Sequence, residues 1–142
     1  MIRFSNKIKY GLQFLLFLNV DEEEFTDIQR AAISCNIPHK FLESIAVSLK
    51  KGGTVVVKRG AGGGYRLNRA PEEITLAEVV KAIEGIESGK DNIIKDIETT
   101  REVVEETLDS VMTDFWQSLE NITLKQLHQK YYDRTDKIMY YI

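Results

Sequence analysis

The sequence predicts a mainly α-helical fold carrying one small β-hairpin, a winged helix-turn-helix followed by a long dimerisation helix. Three observations predict it. Between Pro38 and Arg69 stand Lys40, Lys50, Lys51, Lys58, Arg59, Arg66 and Arg69 against the single acid Glu43, a local charge of +6 in a chain that carries −3 overall. The same stretch reads as a helix (Pro38 to Lys51), a break at Gly52 and Gly53, an apolar β-like run (Thr54 to Val57), the loop 58 to 64 and a return strand Tyr65-Arg66-Leu67. Downstream, Val104, Leu108, Val111, Phe115 and Leu119 recur at steps of three or four, the period of one apolar stripe on a helix.

Composition bounds the answer. At 142 residues and 43% hydrophobic content, the chain suits one compact domain, or a small domain with a helical extension. Residues 1 to 85 hold 12 Lys/Arg and 10 Asp/Glu, whereas residues 86 to 142 hold 7 and 12. A basic half that meets phosphates and an acidic half with another task fit that asymmetry. The single cysteine, Cys35, excludes an internal disulfide and any metal site of several thiolates, and a reducing cytoplasm is the expected compartment. Arg3, Lys7 and Lys9 before the apolar residues 11 to 18 have the outline of a secretory signal. Asp21-Glu22-Glu23-Glu24 then stands where a small-residue cleavage site would be, and the apolar run is far short of the ~20 residues a bilayer requires. A buried helix is expected there, and no membrane partner.

Ser5 is placed to cap a first helix running to about Asn19, with Ile8, Leu12, Leu15 and Leu16 on its buried face and Lys7 and Tyr10 on another side. Residues 21 to 24 read as a solvated turn. Thr26-Asp27-Ile28-Gln29 has the Thr-x-x-Gln form of a capping box and starts a short second helix, in which the small Ala31 and Ala32 admit a neighbouring helix. Asn36 suits the left-handed backbone of a tight turn, and Ile37 plugs the core beside it. Pro38 takes the first turn of the third helix, where its missing N–H costs nothing. In that helix Phe41, Leu42, Ile45, Ala46 and Leu49 form the inward stripe, leaving His39, Lys40, Glu43, Lys50 and Lys51 for solvent or DNA. The N-terminal turn of such a helix is what enters a major groove. Three consecutive glycines, 62 to 64, let the hairpin loop lie against a groove floor while Arg59 points in.

Thr75-Leu76-Ala77-Glu78 caps a fourth helix with Leu76, Val79, Val80 and Ile83 inward, ending at Gly85. Residues 86 to 98 read as a linker and Thr99 to Leu119 as a helix of roughly 30 Å. Thr123-Leu124-Lys125-Gln126 caps a last, short helix, and residues 138 to 142 are apolar enough to pack on something. One long helix with a single apolar stripe has too little to bury against in a small domain, so a second copy is the expected partner. The organisation is therefore a DNA-binding unit over 1 to 85, a linker over 86 to 98, and a dimerisation helix with tail over 99 to 142.

Other chemistries find little support. Two histidines, one cysteine and no paired carboxylates leave no acid–base or nucleophilic set, so an enzyme is not expected. His128 lacks a neighbouring ligand and is expected on the surface. Gly60 to Gly64 is not a nucleotide loop, because a strand follows it and no Gly-Lys-Ser/Thr is present. Cys35 reads as a buried structural thiol rather than a redox switch, and Phe115 and Trp116 as dimer core rather than a ligand cage.

Four blocks in order carry a family likeness. Ser5-x-Lys7-x-x-Tyr10-Gly11, then Ile37-Pro38-His39-Lys40-Phe41-Leu42-Glu43, then Arg59-Gly60-Ala61-Gly62-Gly63-Gly64-Tyr65-Arg66-Leu67, then Pro71-Glu72-Glu73-Ile74-Thr75-Leu76 with Glu84-Gly85, together resemble the Rrf-two (Rrf2) family of bacterial winged-helix regulators. Beyond residue 85 the likeness is looser, and the ending is most similar to the CymR branch. The resemblance implies a homodimer, a repressor by expectation, that places two helix-turn-helix units on a pseudo-palindromic operator in double-stranded DNA. It implies that His39, Lys40 and Glu43 face base edges, that Arg59 with Gly60, Gly62 and Gly63 enters the minor groove, and that Lys7 and Tyr10 hold phosphates. Thr26, Phe41 and Lys50 complete the candidate DNA contacts, and Val104, Leu108, Val111, Phe115 and Leu119 make the candidate dimer face.

The sequence also departs from the family. Phe41 stands where the family usually has Tyr, and Pro38 and Val57 where it usually has Ser, so no operator sequence carries over. The same three residues support an alternative, a winged-helix protein-interaction module that no longer binds DNA, against which the +6 of residues 38 to 69 argues. Cluster-bearing relatives place three cysteines after the Gly85-like position, whereas 86 to 98 holds none, so no iron–sulfur cluster and no other cofactor is expected. The signal, an effector small molecule or a partner protein, is left open.

Overall fold

The computed structural model describes residues 3–18, 24–85 and 99–140, with side chains through residue 136. The acidic residues 21 to 23, the linker 86 to 98 and the apolar side chains of 138 to 142 lie outside the described residues.

Helix α1 spans Asn6–Phe17, and the Ser5 hydroxyl accepts from the Ile8 N–H at 3.4 Å as the cap expected of it. It buries Ile8, Gly11, Phe14 and Leu15, while Leu12 and Leu16 are only half-buried. The buried line is thus rotated from the expected one to include Gly11, where a Cβ would fall on Cδ1 of Ile83, so this bare turn makes room for a side chain of a later helix. A glycine is invisible to a hydrophobic pattern.

Helix α2 spans Ile28–Cys35 and is capped by Asp27, which accepts from the Gln29 N–H at 3.3 Å. The expected cap, Thr26, is held in an extended bridge to Tyr65, so the helix starts one residue later than the Thr-x-x-Gln pattern suggests. Ala31 and Ala32 are buried where α2 meets the next helix. Asn36, at φ 54, makes the left-handed turn, and Ile37 is buried beyond it.

Helix α3 spans His39–Lys51, with Pro38 at the cap position rather than inside the first turn. Leu42, Ile45, Ala46 and Leu49 are buried, but Phe41, expected among them, is 51% exposed. At 3.6 residues per turn Phe41 lies about a quarter turn from the centre of the buried line. Strands β1 (Val55–Lys58) and β2 (Gly64–Leu67) pair antiparallel from Val55↔Leu67 to Lys58↔Gly64 and form the wing. Thr54 ties it to α3, its buried hydroxyl donating to the Leu49 carbonyl at 3.0 Å.

A 3₁₀ turn (Pro71–Glu73) leads into α4 (Leu76–Glu84), which Thr75 caps and Gly85 ends at φ 68. Helix α5 covers Thr99–Glu120, and α6 runs over Leu124–Tyr140, 17 residues rather than the short helix expected. The capping box before α6 closes both ways: the Gln126 N–H reaches Thr123 Oγ1 at 3.4 Å, and the Gln126 side-chain oxygen accepts from the Thr123 N–H at 3.3 Å. Backbone bonds from Leu76 N–H to Ile122 and from Leu124 N–H to Ile74, 2.8 and 2.9 Å, tie the α5–α6 corner to the start of α4. Leu124 joins the main core of Phe14, Leu15, Leu42, Ile45, Leu49, Ile74 and Val79, and Leu119 packs with Ile8, Ala77 and Val80.

Candidate nucleic-acid interface

The outer side of α3 presents Lys40, Phe41 and Glu43 to solvent, with His39 half-buried at its first turn and Nδ1 3.4 Å from Glu43 Oε1. Lys50 and Lys51 are exposed near its C-terminal end. The sequence reading missed two members of this face, Ser44 and Val47, both exposed. The signal for them was present, because they follow Lys40 by four and seven residues and therefore share its side of the helix.

The wing carries its charge at the tip, where Lys58, Arg59 and Gly60 are exposed. Its turn closes through a 3.0 Å bond from the Gly63 N–H to the Gly60 carbonyl, with Gly60 at φ 92 and Gly62 at φ 73, angles that suit residues without a Cβ. At Gly63 and Gly64 space is decisive. A Cβ on Gly63 would meet the Lys58 carbonyl oxygen, and one on Gly64 the carbonyl oxygen of Thr26. The glycine string therefore fits the wing against its own base as well as shaping its tip.

What seats the wing on the helix-turn-helix was not legible beforehand. The Phe25 ring lies beneath the Arg66 guanidinium (4.9 Å) and Lys58 Nζ (5.8 Å), and the Tyr65 ring meets Phe14 edge-on at 5.7 Å. Burial, and then the charge of Glu43, push the Tyr65 phenol above its ordinary pKa, so the α3 face and the wing strand are electrostatic neighbours. Arg69, just past the wing, grips Glu78 of α4 with both fork nitrogens, one of them 3.4 Å from Oε1, and donates to the Glu73 carbonyl at 3.2 Å.

The remaining candidates separate. Lys7 is exposed and Tyr10 half-buried on α1, its ring against the core. Thr26 is 5% exposed and offers almost no surface, so its place in the site is as the wing's backbone anchor rather than as a contact. Of the candidate dimer residues, Val104, Leu108, Val111 and Phe115 are exposed along α5, joined by Val103 and Met112, while Leu119 is buried in its own chain and leaves that face. Phe115 stacks on Phe4 at 6.1 Å and meets Trp116 edge-on, and Lys81 Nζ lies 5.2 Å from the Trp116 ring centre.

His128 corrects another expectation. It is 6% exposed rather than on the surface, stacks on Tyr132 at 6.0 Å, and neither ring nitrogen has a hydrogen-bond partner, so burial pushes its pKa down. Cys35 is half-buried rather than fully so, with Sγ 3.9 Å from the Gln13 carbonyl; burial pushes its thiol up, away from the reactive thiolate. Among the described residues no group of three or more His, Cys, Asp or Glu could hold a metal ion, and no helix is long and apolar enough to cross a membrane.

Known proteins resemble this arrangement. The Rrf2 family, described as "Iron-dependent Transcriptional regulator", matches residues 4–130. The putative HTH-type transcriptional regulator rrf2-like of Rhodobacter capsulatus is 36% identical over 85 residues, and the match spans 57% of each chain. The HTH-type transcriptional regulator CymR of Bacillus subtilis is 30% identical over 118 residues, 77% of this chain and 85% of that one. The solved structure of B. subtilis CymR, titled the global cysteine regulator of that organism, superposes with a TM-score of 0.67 at 28% identity, covering 92% of this chain and 98% of the other. IscR of T. potens superposes at 0.66 and 27% identity, over 91% and 88%. These relatives carry the names of regulators rather than of enzymes, and the two solved structures share the fold described above. The chain spans little more than half the length of several of the curated relatives it matches, and it belongs to the Rrf2 family.

Proposed function

We propose that this chain is a homodimeric, sequence-specific repressor that acts in the cytoplasm on double-stranded DNA and works without an iron–sulfur cluster. The observation that carries it is the outer face of α3, where Lys40, Phe41, Glu43, Ser44 and Val47 stand exposed beside a wing whose tip is Lys58, Arg59 and Gly60. Polar, charged and apolar groups on one helix face are what base edges require, and a basic, glycine-shaped hairpin suits a narrow minor groove. His39 and Glu43 support the base-reading end, and Lys7, Tyr10 and Lys50 supply phosphate contacts.

Dimerisation follows from α5. Val104, Leu108 and Val111 are 56–58% exposed, an apolar face that a second copy covers by presenting the same face in return. On this reading residues 1 to 85 bind DNA, 86 to 98 link, and 99 to 142 join the protomers. Leu119 and Leu124 nevertheless belong to the core shared with the binding half, so the division is one of task rather than of packing. The cluster-free reading rests on the single cysteine, which sits on α2 with a thiol whose pKa burial raises.

The test is selection of bound fragments from the source organism's sheared genomic DNA by the purified full-length protein at near-physiological salt. A few intergenic fragments sharing an inverted repeat are expected. Recovery of no fragments, or of DNA without sequence preference, would overturn the reading and favour a winged-helix protein-interaction module, which the Phe41, Pro38 and Val57 replacements already allow.

A further inference from the structure

At 3.6 residues per turn, Lys40, Glu43, Ser44 and Val47 occupy one sector of α3 about 100° wide, opposite the buried Leu42, Ile45, Ala46 and Leu49. Their spacing, i, i+3, i+4 and i+7, is that with which a helix lying in the major groove reads base edges in a three-helix DNA-binding unit. Three of the four are polar. The fourth, Val47, is 48% exposed and shows its methyl groups to water from the middle of the helix.

A single exposed valine is ordinary on a protein surface, and its position is what sets this one apart. A β-branched residue restricts its own rotamers in a helix, so nothing local favours it over alanine, lysine or glutamate at a solvated site. It has no hydrogen bond to give and no charge to place on a phosphate. Within the major groove, however, one base presents an apolar group: thymine, through its C5-methyl, which apolar side chains recognise by mutual burial.

Resting on the reading of α3 as the recognition helix, we propose that Val47 is a specificity-determining residue that packs on the C5-methyl of one thymine in each operator half-site. Lys40, Glu43 and Ser44 read hydrogen-bonding edges along the same line, and Val47 adds the one position where discrimination comes from excluding water. The neighbouring Phe41 lies to the side of this sector, toward the groove wall.

The experiment uses the full-length protein and a duplex of the operator recovered by genomic selection, with each thymine replaced in turn, symmetrically in both half-sites, by deoxyuridine, which lacks only the methyl. For the wild-type protein, one replacement weakens binding about fourfold per half-site, the value of one buried methyl group. Val47→Ala, whose helix content is checked by circular dichroism, binds the unmodified operator more weakly and loses sensitivity at that thymine alone. Val47→Thr, which keeps one methyl, retains part of it. An operator bound selectively, at which wild type and Val47→Ala respond alike to every replacement, overturns the inference and leaves the repressor reading standing. Failure of the wild-type protein to select any sequence overturns both.

Discussion

Thr26 and Tyr65 exchange two backbone hydrogen bonds, each 2.8 Å long, and through them the return strand of the wing is joined to the start of the helix-turn-helix. The pair explains why Thr26 is buried, why α2 begins at Ile28, and why a glycine must stand at 64. The wing is thereby anchored through its return strand to the residues that precede α2.

Gly64→Ala should break this joint. Gly64 sits at φ 143, a conformation open to glycine, and the added methyl would meet the Thr26 carbonyl. A loss of about 2 kcal/mol or more is expected in urea unfolding, together with weaker operator binding. Unchanged midpoints would show that the wing shifts freely on its base.

Arg59→Ala should weaken operator binding by about 1 to 3 kcal/mol and relax discrimination at A·T-rich minor-groove positions while leaving stability unchanged. Arg59 is exposed at the wing tip, so no packing is lost. Equal affinities for wild type and variant, in a mobility-shift titration, would remove the wing from the interface.

Lys7→Ala should behave differently. A phosphate contact carries no sequence information, so binding to operator and to random duplex should fall by the same factor, and the salt dependence should flatten by about one contact per half-site. A selective loss on the operator would move Lys7 from the phosphates to a base.

Leu108→Glu tests the α5 face. Leu108 is 57% exposed in the protomer, so the substitution costs the single chain little but places a buried charge in a paired interface. Sedimentation should show a protomer-sized species of unchanged helix content, and a persisting dimer would place the interface elsewhere. Truncation before Thr99 is a poorer test, because it also removes Leu119 and Leu124 from the core.

His128 predicts a dependence on pH. Its pKa is lowered on folding, so the unfolded chain binds the extra proton first. The stability it permits is complete above the unfolded value of about 6.5 and declines as pH falls below it, with a slope bounded at about 1.4 kcal/mol per pH unit for one proton. His128→Leu should flatten the unfolding midpoint between pH 7 and 5. An equally steep curve in the variant would assign the loss to other groups.

By itself, the sequence determined the order of helices and hairpin, the caps at Ser5 and Thr75, the turn at Asn36, the stop at Gly85 and the exposure of Lys40 and Glu43 on α3, because each depends on neighbours within one or two turns of chain. Only the tertiary structure decided the rest. Leu119 fits the α5 stripe by period, yet its helix crosses Ile8, Ala77 and Val80 at that point and buries it in its own chain. His128 looks solvated in a polar stretch, yet its own helix, α6, packs along the 3₁₀ turn and α1, and the side chain is buried. Phe25 beneath the wing cations and Thr26 against Tyr65 join residues some forty positions apart, a distance across which no local pattern carries information. Local periodicity fixes which side of a helix is apolar, and packing alone fixes what that side meets.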